Sequence, residues 1–460
     1  MAKKKQIELT IEEKLQNALV PKEEQPYKIP NNWCWVRLDF LLKEICNGTT
    51  IKQNKEGKTA RVTRIESLQN NTIDFNRIGN IVNESLIKDK DWYIEGDIIV
   101  SHINSIEHVG KSAVITRDML PLVHGMNLLR LRLNNICNSQ FFQLYTRTTD
   151  YKKSIVNRVN RAVNQVSINQ KQLCSLEIPI TNLKEQQRIV NRIESLFVKL
   201  DRAKELIENT LAQFEQNKMA ILHKAFTGEL TAKWRKENNI DLSSWKEKTI
   251  DELCTSLKYG TSKKSKPEGS VVVLRMGNLQ NGEIDWSNLM YTDDKEDIEK
   301  YLLKKGDVLF NRTNGSADLI GKTSIYRGEY PAIYAGYLIK LDYGKDIIGE
   351  YLNYIMNSNK ARAYCNKIKS SGASQFNINA KKIGAFEIPV PTIEEQQEIV
   401  NILDKLLAKY NKIKNLEQQL EKIELLKKAI LAKAFRGELD TNNPDEESAE
   451  NLLKEILAEK

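Results

Sequence analysis

The six cysteines of this 460-residue chain include no Cys-x-x-Cys pair. That spacing argues against both a disulfide framework and a structural zinc site. Its four histidines, His102, His108, His124 and His223, are scattered, so no metal-binding or nucleophile-base constellation emerges from them. There is no Gly-x-Gly, which excludes a dinucleotide fingerprint or a glycine-rich cofactor loop. Nor is there an Asn-Pro-Pro-aromatic run, a Walker lysine or a Pro-Asp…Glu-x-Lys constellation. "VGKS" (109–112) lacks the upstream glycine of a phosphate loop, and its counterpart "IGKT" sits in the same strand-like setting; both read as turns. No apolar run approaches the ~20 residues of a membrane span. The basic start "MAKKKQIELT" is not followed by the apolar stretch of a signal peptide. A non-catalytic chain in a reducing, cytoplasmic setting is expected, with no metal or cofactor of its own.

What is present is enough hydrophobic content, 40%, to build real cores, and a length that calls for about two to four domains. The net charge of +9 permits a nucleic-acid partner without requiring one.

The dominant signal is internal duplication. "QVSINQKQLCSLEIPI" (165–180) matches "QFNINAKKIGAFEIPV" (375–390), and "IPITNLKEQQRIVNRIESLF" (178–197) matches "IPVPTIEEQQEIVNILDKLL" (388–407). "ILHKAFTGEL" (221–230) matches "ILAKAFRGEL" (430–439). Upstream the match is fainter but continuous: "CNGTT" with "KYGTS", "SLQNNTIDF" with "NLQNGEIDW", "EGDIIVSHINS" with "KGDVLFNRTNG". The offset is 210 from Gln165 to Gln375, 209 from Ile221 to Ile430 and 212 from Cys46 to Lys258. Each copy is a variable globular part followed by a well-matched helical part.

The globular parts mix short β-branched runs ("GDIIV", "SVVVLRM", "GDVLF") with helically spaced stretches such as "NSQFFQLYTRTTDYKKSI". The helical parts carry a 3-4 apolar repeat. In copy one the seam includes Ile193, Leu196, Leu200, Ile207, Phe214 and Ile221. In copy two it includes Leu403, Leu406, Tyr410, Ile413, Ile423, Leu426 and Ile430. Such a repeat predicts a coiled-coil seam, and ~40 residues give a rod of ~60 Å. Copy two is one residue short after Ile413. Asn182 with Glu185, and Thr392 with Glu395, have capping-box spacing at the helix starts. Gly228 and Gly437 suit helix ends. The expected fold is α+β: two mixed α/β globular domains (27–181 and 241–391), helical spacers (182–240 and 392–440), a leader helix (1–26) and a tail helix (441–460).

Charge supplies the candidate binding residues. Residues 27–180 hold 21 Lys+Arg against 14 Asp+Glu, and 241–391 hold 22 against 19, so both globular parts are basic. The excess gathers before the matched glutamines: Lys152, Lys153, Arg158 and Arg161 ahead of Asn164 and Gln165, and Lys360, Arg362, Lys367, Lys369 and Ser370 ahead of Gln375. Lys and Arg there would neutralise phosphates, while Asn, Gln and Arg would reach base edges. Polar loops add Thr49, Lys52, His102 and Asn104 in copy one and Thr261, Lys263, Lys264, Arg312 and Asn314 in copy two. Arg158→Ala or Lys367→Ala is expected to weaken DNA binding. The bland alternative is a scaffold whose globular ends bind protein.

In the order of these motifs the chain resembles the specificity subunits of type I restriction–modification systems. The resemblance rests on "IPNNWCWVRLDFL" (29–41), "GDIIVSHI", "GDVLFNRT", the paired "EQQ" helix entries and the paired "KAF-x-GEL" exits, and spans essentially the whole chain. It implies two target-recognition domains, each reading half of a split double-stranded DNA target. It also implies two antiparallel spacer helices that set the gap and dock two methyltransferase subunits. Glu185, Gln186, Gln187, Glu395, Gln396 and Gln397 are the docking residues it suggests. Restriction–translocase subunits join that core, and S-adenosylmethionine, ATP and magnesium belong to the partners.

Overall fold

The computed structural model describes residues 10–54, 60–163, 165–316, 319–371, 375–408 and 413–459. The chain folds as two units: Met1–Leu206 with Gln418–Lys460, and Ile207–Glu417. The expected α+β class, with long antiparallel helices and a repeated plan, is what the chain adopts. Asn164 and Tyr410 lie outside the described residues.

Unit 1 is built on a four-stranded sheet in the order Ser112–Val114, Ile98–Ser101, Leu128–Leu133, Leu42–Asn47. All its pairings are antiparallel. The strand Ile98–Ser101 is buried throughout, as its β-branched run requires. Helices Ser139–Tyr145 and Thr149–Arg158 supply Phe141, Phe142, Tyr145 and Ile155 to the core. Cys34–Arg37 pairs antiparallel with Glu177–Ile180, which tethers the start of the domain to the strand that feeds the long helix Leu183–Phe226.

Unit 2 repeats the plan: Cys254–Tyr259, Leu338–Tyr343, Val308–Asn311, Thr323–Ile325 in one sheet, and Lys246–Thr249 against Glu387–Val390. Even the small hairpins match. The turns of "LQNNTI" and "LQNGEI" hold Asn70, Asn71, Asn281 and Gly282 at positive φ, as a two-residue type I′ turn demands. The units diverge in their insertions. Unit 1 sets Gln53–Asn54 and Ala60–Val62 either side of Gly79–Ile81, whereas unit 2 sets Val271–Leu274 parallel to Ala332–Tyr334.

Each unit draws on distant parts of the chain. In unit 1 the core contains Ile189, Val190, Ile193 and Phe197 of the first long helix, Leu431, Ala434 and Phe435 near its counterpart's end, and Leu453 and Leu457 of the tail helix Ala449–Glu459. The leader helix Ile11–Ala18 adds Leu15 and Ala18 to that core, and Lys14 Nζ reaches the Leu457 carbonyl at 3.4 Å. In unit 2, Leu222 and Ala225 share a core with Ile399, Val400 and Leu403 of the helix Ile393–Ala408.

Within unit 1 the two long helices run antiparallel: Asp201 pairs with Lys427, and Lys204 with Glu424 at 3.2 Å. The seam differs from its expected register on the second helix, Ile413–Ala434. Ile423 and Leu431 are buried but Leu426 is 49% exposed. Lys427 takes the inward place instead, its ammonium over the Phe197 ring at 5.4 Å while it reaches Asp201. A long aliphatic stem covers apolar surface as well as leucine does and keeps its charge partnered.

His124 ties the sheet of unit 1 to its insertion. Its Nε2 faces the Leu128 carbonyl at 3.0 Å, and burial pushes its pKa down to about 3. The unfolded chain takes up that proton near pH 6.5 and the folded one does not. This contribution to stability is therefore complete above about pH 6.5 and drains away as the pH falls toward about 3. Hydrogen-exchange protection of Leu128–Leu133 should fall between pH 7 and pH 5, and His124→Gln should flatten that dependence.

Candidate nucleic-acid interface

The paired helix entries form a buried joint. Glu185 is fully buried; one carboxylate oxygen accepts from Trp33 Nε1 at 2.9 Å, from the Thr181 hydroxyl and from Asn442 Nδ2 at 3.2 Å. Glu395, also fully buried, accepts from Trp245 Nε1 at 2.9 Å, Thr231 Oγ1 at 2.6 Å and Arg235 Nη1 at 2.6 Å. Burial raises the Glu185 pKa, and the hydrogen bonds of Thr181, Trp33 and Asn442 oppose that rise. Gln186 accepts from the Asn138 amide at 2.8 Å and donates to the Ile136 and Thr181 carbonyls. Gln396 repeats this on Ile348, Asp346 and Pro391.

This corrects two expectations. Asn182 Oδ1 and Thr392 Oγ1 cap the helices as their spacing predicts, at 2.9 and 3.3 Å from the Glu185 and Glu395 amides. The glutamates do not return the bond, because they turn inward to the tryptophans. And Glu185, Gln186, Glu395 and Gln396 are unavailable to a docking partner, because each is fully buried within its own unit. Only Gln187 and Gln397 of the six are exposed. Trp33, Trp245, Arg235 and Asn442 were missed as members of the joint. The matched tryptophans of "NNWCW" and "SSWKE" were the available signal.

The expected contact residues separate into two groups. Several basic ones are tied into the fold. Arg158 is half-buried, ion-paired to Glu177 and bonded to Ser154. Lys152 donates to the Glu107 and Val109 carbonyls at 3.2 and 2.8 Å, and desolvation with nearby Lys111 lowers its pKa. Thr261 is buried with its hydroxyl on Asp297. Lys263 faces Asp294, Glu296 and Asp297 within 3.5 Å, and bonds to the first two raise its pKa. Lys360 pairs with Glu247 at 3.5 Å. For Arg158, Lys263 and Lys360 the positive charge is met by acids distant along the chain, so Arg158→Ala acts on stability rather than on DNA alone.

The second group is brought together. In unit 1 the hairpin Asn160–Ala162 and Gln165–Ser167 is joined by Ile103–Asn104, so Arg161, Gln165, His102 and Asn104 share one three-stranded sheet or its edge. Arg161, Gln165 and the 89%-exposed Val163 project at its tip. In unit 2, Ser370–Ser371, Phe376–Asn377 and Thr313–Asn314 form the equivalent sheet, collecting Ser370, Gln375, Arg312 and Asn314. Lys369 lies beside it, its ammonium over the Phe376 ring at 5.2 Å and 2.7 Å from Asn366 Oδ1. Lys153, Arg362 and Lys367 are exposed on the preceding helices, and Lys52 and Lys264 on loops. Thr49 is held by its amide on the His124 carbonyl at 2.8 Å. Asn47, Asn169 and Lys171, which surround His102, were not anticipated. Among the described residues no cluster of His, Cys, Asp and Glu is arranged to hold a metal ion. Nor is any helix among them long and apolar enough to cross a membrane.

A duplicated α+β frame thus presents a polar, partly basic sheet edge in each copy. The profile of the type I restriction modification DNA specificity domain matches twice, at residues 31–215 and 243–425. The chain belongs to that family. It is 28% identical over 457 residues to the EcoKI specificity subunit of Escherichia coli K12, covering 94% of this chain and 96% of that one. Identity is 30% over 426 residues to the putative MjaX specificity subunit of Methanocaldococcus jannaschii, covering 90% and 95%. Among solved structures, the fold is similar to a chain from a study of complex assembly and conformational transition of the type I R-M system. That match has a TM-score of 0.65 at 18% identity, over 90% of this chain and 100% of that one. The HsdS subunit from Thermoanaerobacter tengcongensis matches with a TM-score of 0.50 at 18% identity, over 90% and 99%.

Proposed function

We propose that this chain supplies the DNA address of a type I restriction–modification complex, each unit reading one half of a bipartite double-stranded target. The observation that carries the reading is the three-stranded sheet repeated in both units. Its frame is the same and keeps Gln165 with Gln375 and Asn104 with Asn314, but Arg161 is matched by Ser371 and His102 by Arg312. A common frame with shared Gln and Asn but a changed cation and a changed corner residue suits two different half-sites on one kind of ligand. The long helices set the half-site spacing and carry two methyltransferase subunits, with Gln187 and Gln397 on the docking face. Repeated helix entries suit two copies of one partner. Methyl transfer, cleavage, S-adenosylmethionine, ATP and magnesium reside with the partner subunits, in the cytoplasm.

The test is duplex binding by the complex with its methyltransferase, measured against salt and sequence. Affinity should fall steeply with salt, and Arg161→Ala should lower the salt slope by about one while leaving assembly intact. Binding indifferent to both sequence and salt would favour a protein-binding scaffold instead.

A further inference from the structure

We infer that a matched corner of each unit sets its base preference, and that Arg312, held over the Tyr259 ring, reads a guanine in the half-site of unit 2. The corner consists of a strand end, a loop residue and the start of a short helix. In unit 1 these are Asn47, His102 and Asn169–Lys171, which line a cleft of about 460 Å³. In unit 2 the same offsets, 212 and 210, put Tyr259 in the place of Asn47 and Arg312 in the place of His102.

The unit 2 corner is fixed from several sides. The Arg312 guanidinium lies over the Tyr259 ring at 5.0 Å. Its Nε donates to the Ile378 carbonyl at 3.3 Å, and Nη1 lies 3.5 Å from the Gly336 carbonyl. Tyr259 Oη accepts from the Ala380 amide at 2.9 Å, which pins the ring beneath. Among the described residues no carboxylate forms an ion pair with Arg312, unlike Lys263 or Arg327 in the same unit. Nη2 has no hydrogen-bond partner among them.

An arginine needed only for charge would not require a ring below it and carbonyls at its side. The ring contact with the Nε and Nη1 bonds instead holds the guanidinium in place and leaves Nη2, with the second Nη1 hydrogen, to donate. Two parallel N–H groups in one plane match O6 and N7 of guanine in the major groove. Unit 1 differs in kind at this position. His102 keeps a buried Nδ1 without a partner among the described residues, desolvation lowers its pKa, and it lines the same cleft as Asn47. Two units that share a frame thus differ in the chemistry of one corner.

The inference rests on the DNA-reading function proposed above, and a selection experiment separates the two. The complex with its methyltransferase is used to select duplexes from a randomised pool, with wild type, Arg312→Ala, Arg312→Lys and Tyr259→Leu compared. Wild type should select a bipartite sequence with a guanine at one position of one half. Arg312→Ala should reduce the preference there by about 5- to 150-fold and leave the other half unaltered. Arg312→Lys should relax the same position while holding affinity at low salt, since charge survives and the planar fork does not. Arg312→Ala weakening all sequences alike would make this a phosphate contact and overturn the inference, as would an unchanged profile. A wild-type complex that selects no sequence would overturn the DNA-reading function itself.

Discussion

Glu395→Ala should destabilise unit 2 by about 3–5 kcal/mol, the cost of leaving a buried charge without its partner. Arg235 is only 8% exposed, and Glu395 is its one carboxylate ion-pair partner among the described residues. Its remaining bonds go to Thr231 Oγ1 and the Gly228 carbonyl. The same change also strips the Trp245 Nε1 and Thr231 hydroxyl donors of their acceptor. Glu395→Gln also leaves Arg235 without a carboxylate and keeps only one of the two acceptor oxygens, so it should recover only a small part of the loss. Thermal unfolding of the chain, read together with hydrogen exchange in Ile393–Ala408, checks both. The loss should appear in unit 2 and spare the core of Phe141, Tyr145 and Phe435 in unit 1. A glutamine variant as stable as wild type would contradict this, because it would show that the shape of the side chain, and not the Arg235–Glu395 pair, holds the joint.

The second large effect is expected at Asp97. This carboxylate is buried between Arg132, bound through both oxygens at 2.8 Å, and the fully buried Arg130 at 3.9 Å. Glu44 holds the outer side of both guanidiniums, at 2.7 and 3.2 Å. Asp97→Ala should cost unit 1 about 3–5 kcal/mol, since Arg130 keeps only a half-exposed carboxylate for its charge. The equivalent Asp307→Ala should cost markedly less. There Lys340 replaces Arg130, retains Asp342 at 2.8 Å, and is itself 16% exposed. Denaturant unfolding of the two variants side by side measures the difference. Similar losses would contradict the view that buried arginine makes the unit 1 network the more demanding one.

Much of this architecture was legible because duplication writes every element twice. The paired "QNN" and "QNG" turns, the "GDIIV" and "GDVLF" strands and the positive-φ Gly228 and Gly437 after the helices all occur where their local chemistry requires. What was not legible depended on partners distant in sequence. The "EQQ" glutamates look like solvated cap residues until Trp33 and Trp245 arrive from more than 140 positions away. Arg158 looks like a phosphate ligand until Glu177 packs against it. The coiled-coil period identified the rods but not that Lys427 would displace Leu426 from the inward face, since a 3-4 pattern does not say how a long charged stem lies on Phe197. The gathering of "SHINS" with the "NRAVNQ" hairpin, and of "NRTNG" with its counterpart, followed from strand pairing across about 60 residues that no motif announces.

The most direct measurement is a map of the sites methylated by the assembled complex, made for wild type and for variants altered in one unit at a time. The account predicts a two-part site in which Arg161→Ala with Gln165→Ala changes only one part and Arg312→Ala changes only the other. A single uninterrupted site, or both sets of variants altering the same part, would contradict it.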